Sequence, residues 1–249
     1  MTSANNTRFS AEALTWDSNP DVQLATALAH KAYLAHLPPA PTLSTYNVLD
    51  LGCGTGLLSL ALAPSVLSVT AVDAAEGMIA ALESKLASPD TNNNNINNTP
   101  RNVLPVCALL QDPDDPRLAT DPATGETVPT GRRFDLVVSH LVLHHIPDLP
   151  ALLKTIHGCL VPGGRVMVTD FEDTGPEARR FHPEGKMDGV ERHGITEGEM
   201  RRVMEGAGFA EVRVERAFEM GKKVETEPGS GVLGPVVVFP FLICEGTKG

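Results

Sequence analysis

From residue 46 onward, short apolar runs bounded by turn residues alternate with stretches of helical spacing. Tyr46 to Leu51 reads as a first strand, followed by a helix over about 56–63. Val66 to Val72 reads as a second strand ending at Asp73. Glu76 to Leu86 is the next helix, with Met78, Ile79 and Leu82 on its apolar side. Further strands are expected at Val103–Leu110, Phe134–Ser139 and Arg165–Phe171, with a helix at about 149–160 before Gly163-Gly164. Strands alternating with helices imply right-handed crossovers and a mostly parallel sheet. After Phe171 the rhythm loosens. Glu172 to Gly194 is long, polar and glycine-containing, and a loop of that length in a compact domain is often a functional lid. Thr196 to Ala207 reads as a helix, with Thr196 and Glu199 spaced as a capping box. Phe209 to Phe218 and Val236 to Cys244 have strand character. Pro240 marks a bulge or a position without a required ladder bond.

Before the core, residues 1–8 read as a disordered start and Phe9 to Asp17 as a short helix with Ser10 as its N-cap. Asn19-Pro20 breaks the chain. A second helix runs from Asp21 to Leu37, and Pro38-Pro39-Ala40-Pro41 continues as an extended linker. The asparagine run Asn92 to Asn98 and the Pro/Asp/Thr/Gly-rich stretch 113–132 read as solvated loops. A length of 249 residues suits one large α/β domain with a lid. Residues 1–45 are then a helical cap, 46–249 the main domain, and 172–195 a candidate substrate lid.

Composition narrows the partners. The net charge is -11 with no basic tract, which disfavours a nucleic-acid substrate. No run approaches the ~18 apolar residues of a membrane span, and no apolar leader is visible at Met1 to Asn6. Cys53, Cys107, Cys159 and Cys244 are far apart and fit reduced thiols in a cytoplasmic protein.

The candidate chemistry centres on Val48-Leu49-Asp50-Leu51-Gly52-Cys53-Gly54-Thr55-Gly56, a strand running into a turn with glycine at every second position. Bare Cα atoms allow a ligand close to the backbone, and amides of the following helix would face it. The spacing is not the G-x-G-x-x-G dinucleotide fingerprint. Asp50 adds a charge, and Asp73 ends the neighbouring strand, where an acid accepts hydrogen bonds from a ribose diol. Together these point to an adenosine-bearing ligand. Histidines are the candidate bases: His145 either packs at the strand end or orients substrate. His182 and His193 lie in the candidate lid and read as exposed, with His193 alternatively contacting substrate. His140 and His144 are four apart, but no third ligand falls at a telling spacing, so no metal is expected. Trp16 is a hydrophobic anchor or a cover over the ligand, Cys53 a small residue filling a tight turn, and the Arg179-Arg180 pair a solvated face or an anion contact.

The glycine-turn segment resembles motif I of the class I S-adenosylmethionine-dependent methyltransferases. Ala71-Val72-Asp73-Ala74-Ala75-Glu76-Gly77-Met78 resembles their second-strand segment. Phe134 to Ser139 with Leu143-His144-His145-Ile146 resembles the fourth-strand segment, and Leu160-Val161-Pro162-Gly163-Gly164-Arg165 the turn into strand five. Thr15 to Pro20 and Val190 to Ile195 resemble a narrower, small-molecule group. The resemblance implies an α/β, Rossmann-like seven-stranded sheet flanked by helices, its last strand antiparallel, under an N-terminal helical lid. It implies S-adenosylmethionine as cofactor and a small molecule accepting the methyl on O, N or S. It assigns the cofactor to Trp16, Asp50, Gly52, Cys53, Gly54, Asp73, Ala74, Met78, Gln111, Asp112 and His140, and the acceptor side to His145 and His193. A peptide methyltransferase, a non-catalytic cofactor-binding partner protein and a nicotinamide-dependent oxidoreductase are the rival readings.

Overall fold

The computed structural model describes residues 3–87, 100–122, 124–128 and 131–249. The asparagine run lies outside them. Period-two burial builds the sheet. In β1 (Asn47–Leu51) Val48 faces one helical layer and Leu49 the other. The same alternation separates Val137 from Leu136 and Val138 in β4 (Phe134–His140), and Val166 and Val168 from Met167 in β5 (Leu160–Phe171). Strands buried on both faces read as continuous apolar runs, which is why these were visible as such.

Among the described residues seven strands form one sheet in the order β3-β2-β1-β4-β5-β7-β6. Here β2 is Ser68–Asp73, β3 Val103–Cys107, β6 Phe209–Glu225 and β7 Leu233–Lys248. β1 to β5 pair in parallel, and β7 runs antiparallel to both β5 and β6. Pro240 pairs with Glu219 of β6, one residue beyond the last β5–β7 pair, Phe171↔Phe241, and its carbonyl accepts the Glu172 amide at 2.8 Å. One face carries α6 (Leu149–Cys159) and α7 (Glu197–Gly206). Thr196 caps α7 by accepting the Glu199 amide at 3.3 Å. The other face carries α2 (Pro20–His36), α4 (Leu57–Leu62) and α5 (Glu76–Ala87). Tyr33 locks α2 onto the sheet, its hydroxyl donating to the Ser139 carbonyl at 2.7 Å and lying 2.9 Å from Thr169 Oγ1.

Several expectations change. The first helix, α1, spans Ser3–Trp16, so residues 3–8 are helical rather than disordered. Ser10 is not its cap; mid-helix, its hydroxyl accepts the Gly77 amide at 3.1 Å and ties α1 to α5. Docking, which no local pattern records, orders this segment. Asn19 caps α2 by accepting the Asp21 amide at 3.0 Å. The proline-rich linker folds into the short α3 (Ala40–Leu43). β3 stops at Cys107, since Ala108 and Leu110 turn to pack with the α6 layer. The 113–132 stretch is not wholly solvated. Leu118 is buried, and buried Arg132 reaches Asn47, Ser68 and Thr70. β6 runs seven residues past Phe218 because its ladder with β7 continues through Glu225.

Candidate active site

The parallel strands reverse order between β1 and β4, and in open α/β sheets ligands enter beyond the strand ends at such a switch point. A cavity lies there, walled by the turns after β1, β2 and β4, by α1 and the start of α2, by 181–186, and by Met220 and Lys222 of β6.

On the β1 side, Gly52, Gly54 and Gly56 have φ of 73°, 54° and 82°, a region side chains enter at a cost. A Cβ on Gly52 would overlap Val142, and one on Gly56 would overlap Leu82. The first amides of the turn itself are engaged within the protein. Those of Gly52 and Cys53 donate to the Val72 carbonyl at 2.8 and 3.0 Å, and that of Gly54 to Asp73 Oδ2 at 2.9 Å. These three donors are spent holding β1 to β2, so the glycines supply close approach rather than hydrogen bonds.

Asp50 and Asp73 both line the cavity and both are buried. Asp50 accepts the Ser59 hydroxyl at 2.5 Å. Burial pushes its carboxyl up to about 7; the Ser59 bond pulls the other way and the Asp73 charge adds to the rise. Asp73 accepts the Ala75 amide at 2.8 Å through Oδ1, and burial raises it too, against its backbone hydrogen bonds. Two buried acids whose carboxyls are both pushed upward form a site that a cation relieves. Met78 and Cys53 give this end an apolar floor, and burial holds the Cys53 thiol well above its ordinary range.

α1 and the chain after it cover the turn. Trp16 stands edge-on to Phe9 at 5.8 Å, and Phe9 edge-on to His145 at 5.2 Å. Asp17 accepts the Thr55 hydroxyl at 2.5 Å and pairs with Lys85 at 2.5 Å, while Lys85 also donates to the Thr55 carbonyl at 2.6 Å. This latch joins the N-terminal helices to the glycine turn.

The β4 side is built of histidines. His140 ends β4 with Nδ1 2.8 Å from Thr169 Oγ1, and burial lowers it to about 4. Leu141 follows at φ 57°, a strained position for leucine beside a site. His144 and His145 occupy a 3-10 turn, Leu143–His145. His144 Nδ1 lies 2.9 Å from each Asp170 oxygen, and its amide donates to the same carboxylate at 3.0 Å. Burial alone would raise Asp170, but the His144 charge and hydrogen bonds outweigh it and hold the acid below its usual range. His145 Nδ1 lies 2.8 Å from the Gly189 carbonyl, and burial beside His144 lowers its ring to about 3. His182 closes the group, its ring centroid 4.9 Å from His144 and 5.8 Å from His145; burial and those neighbours lower it as well.

Of the sequence candidates, Trp16, Asp50, Gly52, Cys53, Gly54, Asp73, Met78, His140 and His145 line one cavity. Ala74 is half-buried next to it and is not a lining residue. Gln111 and Asp112 are exposed and elsewhere: the Gln111 carbonyl accepts the Thr155 hydroxyl of α6, and Asp112 accepts the Asp114 amide. The turn of the chain after Cys107 carries them away. His193 is not brought to the cavity either. Its segment braces the histidine turn from behind, with Arg192 donating to the Leu143 and Ile146 carbonyls and the Glu191 amide to His144. Sequence reading missed the latch residue Asp17, Lys222, and Asp170 as the partner of His144. Asp170 alone carried a signal, being an acid at the end of the strand beside β4. His182 was read as exposed; instead it lines the cavity.

Comparisons with known proteins agree with this architecture. Residues 21–214 match a family described as a methyltransferase domain. An uncharacterised methyltransferase of Mycobacterium tuberculosis is 33% identical over 139 residues, 56% of this chain and 57% of the relative. A ubiquinone biosynthesis O-methyltransferase of Coxiella burnetii is 28% identical over 159 residues, 64% of this chain and 58% of the relative. The matches thus span less than two thirds of either curated relative. The solved complex of DhpI with SAH superposes with a TM-score of 0.60 at 19% identity, covering 98% of this chain and 95% of that one. With the match spanning most of its length, the chain belongs to the methyltransferase domain family.

Proposed function

We propose that the protein is an S-adenosylmethionine-dependent methyltransferase acting on a small molecule at O, N or S. One observation carries the reading: two buried acids flank a turn whose first three amides are already spent, in a cavity whose other end is lined with histidines, of which His140, His145 and His182 are kept neutral by burial. A nicotinamide dinucleotide would bring a pyrophosphate, which would add negative charge beside Asp50 and Asp73. A cationic amino acid nucleoside suits the same donor set. In this reading Asp50 receives the ligand's ammonium, Asp73 its ribose hydroxyls, Met78 lies against the adenine, and Trp16 covers the turn.

When bound, S-adenosylmethionine supplies a methyl group on a sulfonium, with a neutral leaving group. The chain's own residues then have three tasks: to align the acceptor, to keep water out and to take a proton where the acceptor carries one. His145, lowered to about 3 by burial and so a weak base, is proposed to orient the acceptor. With Nδ1 engaged by Gly189, its Nε2 keeps a lone pair for an acceptor O–H, N–H or S–H. Residues 1–45 serve as the cover, supported by Arg8, Phe9, Glu12 and Trp16 in the cavity wall. The 172–195 segment serves as the acceptor-side lid, supported by Phe181, His182 and Lys186. No helix among the described residues is long and apolar enough to cross a membrane. A cytoplasmic setting is proposed with this reading, supported by four free cysteines.

Calorimetry provides the test. S-adenosylmethionine or its demethylated product binds and NADH does not; the reverse refutes the reading. A panel of thiols, phenols and amines incubated with methyl-labelled cofactor, read by mass spectrometry, identifies the acceptor class. Cofactor binding with no product from any acceptor would instead favour a non-catalytic partner protein.

A further inference from the structure

We propose that His144, His145 and His182 form a binding site for one divalent transition-metal ion, with zinc the ion best suited to the donor set. The expectation from sequence was no metal, because His140 and His144 had no third ligand near them in the chain. The fold supplies a different trio. One ring nitrogen from each of His144, His145 and His182 lies within 4.8 Å of the others. Three imidazoles leaving a further position open are an established zinc donor set, and imidazole also suits iron, nickel and copper.

Second-shell contacts prepare the ligands. A ligating histidine ordinarily gives its other nitrogen to a carboxylate or a backbone carbonyl, which sets its tautomer and orientation. Both forms are present: His144 Nδ1 faces the Asp170 carboxylate, and His145 Nδ1 faces the Gly189 carbonyl. The Nε2 atoms are thereby the ones left to ligate. His144 Nε2 is buried with no hydrogen-bond partner among the described residues, on a side chain only 2% exposed. A buried ring nitrogen left without a partner is unfavourable, and a metal ion would supply one.

His145 and His182 also stay uncharged, as ligands must. Burial and mutual proximity hold His145 and His182 below their ordinary range, so an ion displaces no proton from them near neutral pH. Nitrogens of one tetrahedral zinc ion stand roughly 3.4 Å apart, given bonds of about 2.0–2.1 Å. Binding therefore draws the three nitrogens, within 4.8 Å of one another in the free protein, closer together. The negative charge of Asp170 lies directly behind the site and offsets part of the ion's charge.

All three histidines line the cavity. The remaining position of the ion would take water or an anionic oxygen or sulfur of a small molecule. That part rests on the functional reading above: an acceptor held there as phenolate, enolate or thiolate would meet the metal where otherwise it meets the His145 lone pair. Ion binding itself does not depend on that reading.

The experiment is a titration of chelator-stripped protein with Co2+, followed in the visible spectrum, and then displacement by Zn2+. One saturating equivalent per chain with the intense band of a low-symmetry four- or five-coordinate site is expected. His182→Ala should weaken binding by at least about a hundredfold and remove the band. Asp170→Asn should weaken it by about 10–100-fold, the range for a lost second-shell partner. Thermal melting of the stripped variants by circular dichroism verifies that each is folded, and His182→Ala carries the test should Asp170→Asn fail it. No saturable binding below about 1 mM, or unchanged affinity in His182→Ala, overturns the proposal. Loss of metal binding alongside intact binding of the demethylated cofactor would count against this site alone, not against the methyltransferase reading.

Discussion

Asp50→Asn addresses the donor end of the cavity. Burial raises the Asp50 carboxyl to about 7, so a cationic ligand that needs the carboxylate must first expel a proton from part of the population. Apparent affinity is reduced by the competent fraction. For a value of about 7, about 9% of sites are ionised at pH 6 and about 91% at pH 8. Affinity for the demethylated cofactor should therefore fall about tenfold from pH 8 to pH 6, with about 0.9 proton released on binding at the lower pH. Asp50→Asn retains the shape and a partner for Ser59 but not the charge. It forfeits a charge-assisted hydrogen bond of about 1.5–3 kcal/mol, or about 10–150-fold in affinity at pH 8, and loses the pH dependence. Ser59→Ala should move the midpoint upward, because the serine hydroxyl favours the ionised form. Titration calorimetry at pH 6, 7 and 8, in buffers of different ionisation enthalpy, measures both quantities. A native protein with equal affinity at pH 6 and 8 would refute the reasoning. An unchanged slope in Asp50→Asn would move the titration to Asp73.

Three further outcomes are expected. Gly52→Ala combines a φ of 73° with overlap on Val142 and should cost about 2–4 kcal/mol, read by urea unfolding; a loss under about 0.5 kcal/mol would contradict the assigned backbone role. His145→Ala should lower kcat/KM for the acceptor by about 10–100-fold at unchanged cofactor affinity, and steady-state kinetics showing no change would leave His145 a packing residue. Acidification should destabilise the fold below pH 6.5. His140, His145 and His182, held low by burial, stay neutral folded but charge when unfolded. Asp50 and Asp73, held high, oppose this by keeping protons in the folded state. The unfolded chain thus holds about one to two more protons near pH 5.5, a loss of roughly 1.4–3 kcal/mol per pH unit. A melting temperature that rises from pH 6.5 to 5 would overturn the balance.

Local chemistry made the donor end legible. Val48 to Leu51 and Val66 to Asp73 announce buried strands by apolar content, and alternating glycines after Asp50 announce a turn that only bare Cα atoms allow. These features lie within a few residues of one another, so the turn, the two acids and the parallel order around them could be read directly. The acceptor end depends on contacts between residues far apart in the chain. Asp170 meets His144 because β5 lies beside β4, and His182 joins them because 181–186 folds back over the strand ends. His193 and Gln111 had comparable sequence signals and were directed elsewhere, by the brace from Arg192 and by the packing of Ala108 and Leu110.

The sequence by itself determined the α/β sheet and its glycine turn, because strand burial and positive φ are properties of neighbouring residues. Only the tertiary structure decided that the turn's amides are spent and that three distant histidines share one wall. Hydrogen-bond partners and cavity walls belong to the packing of separate elements, and no spacing along the chain encodes them.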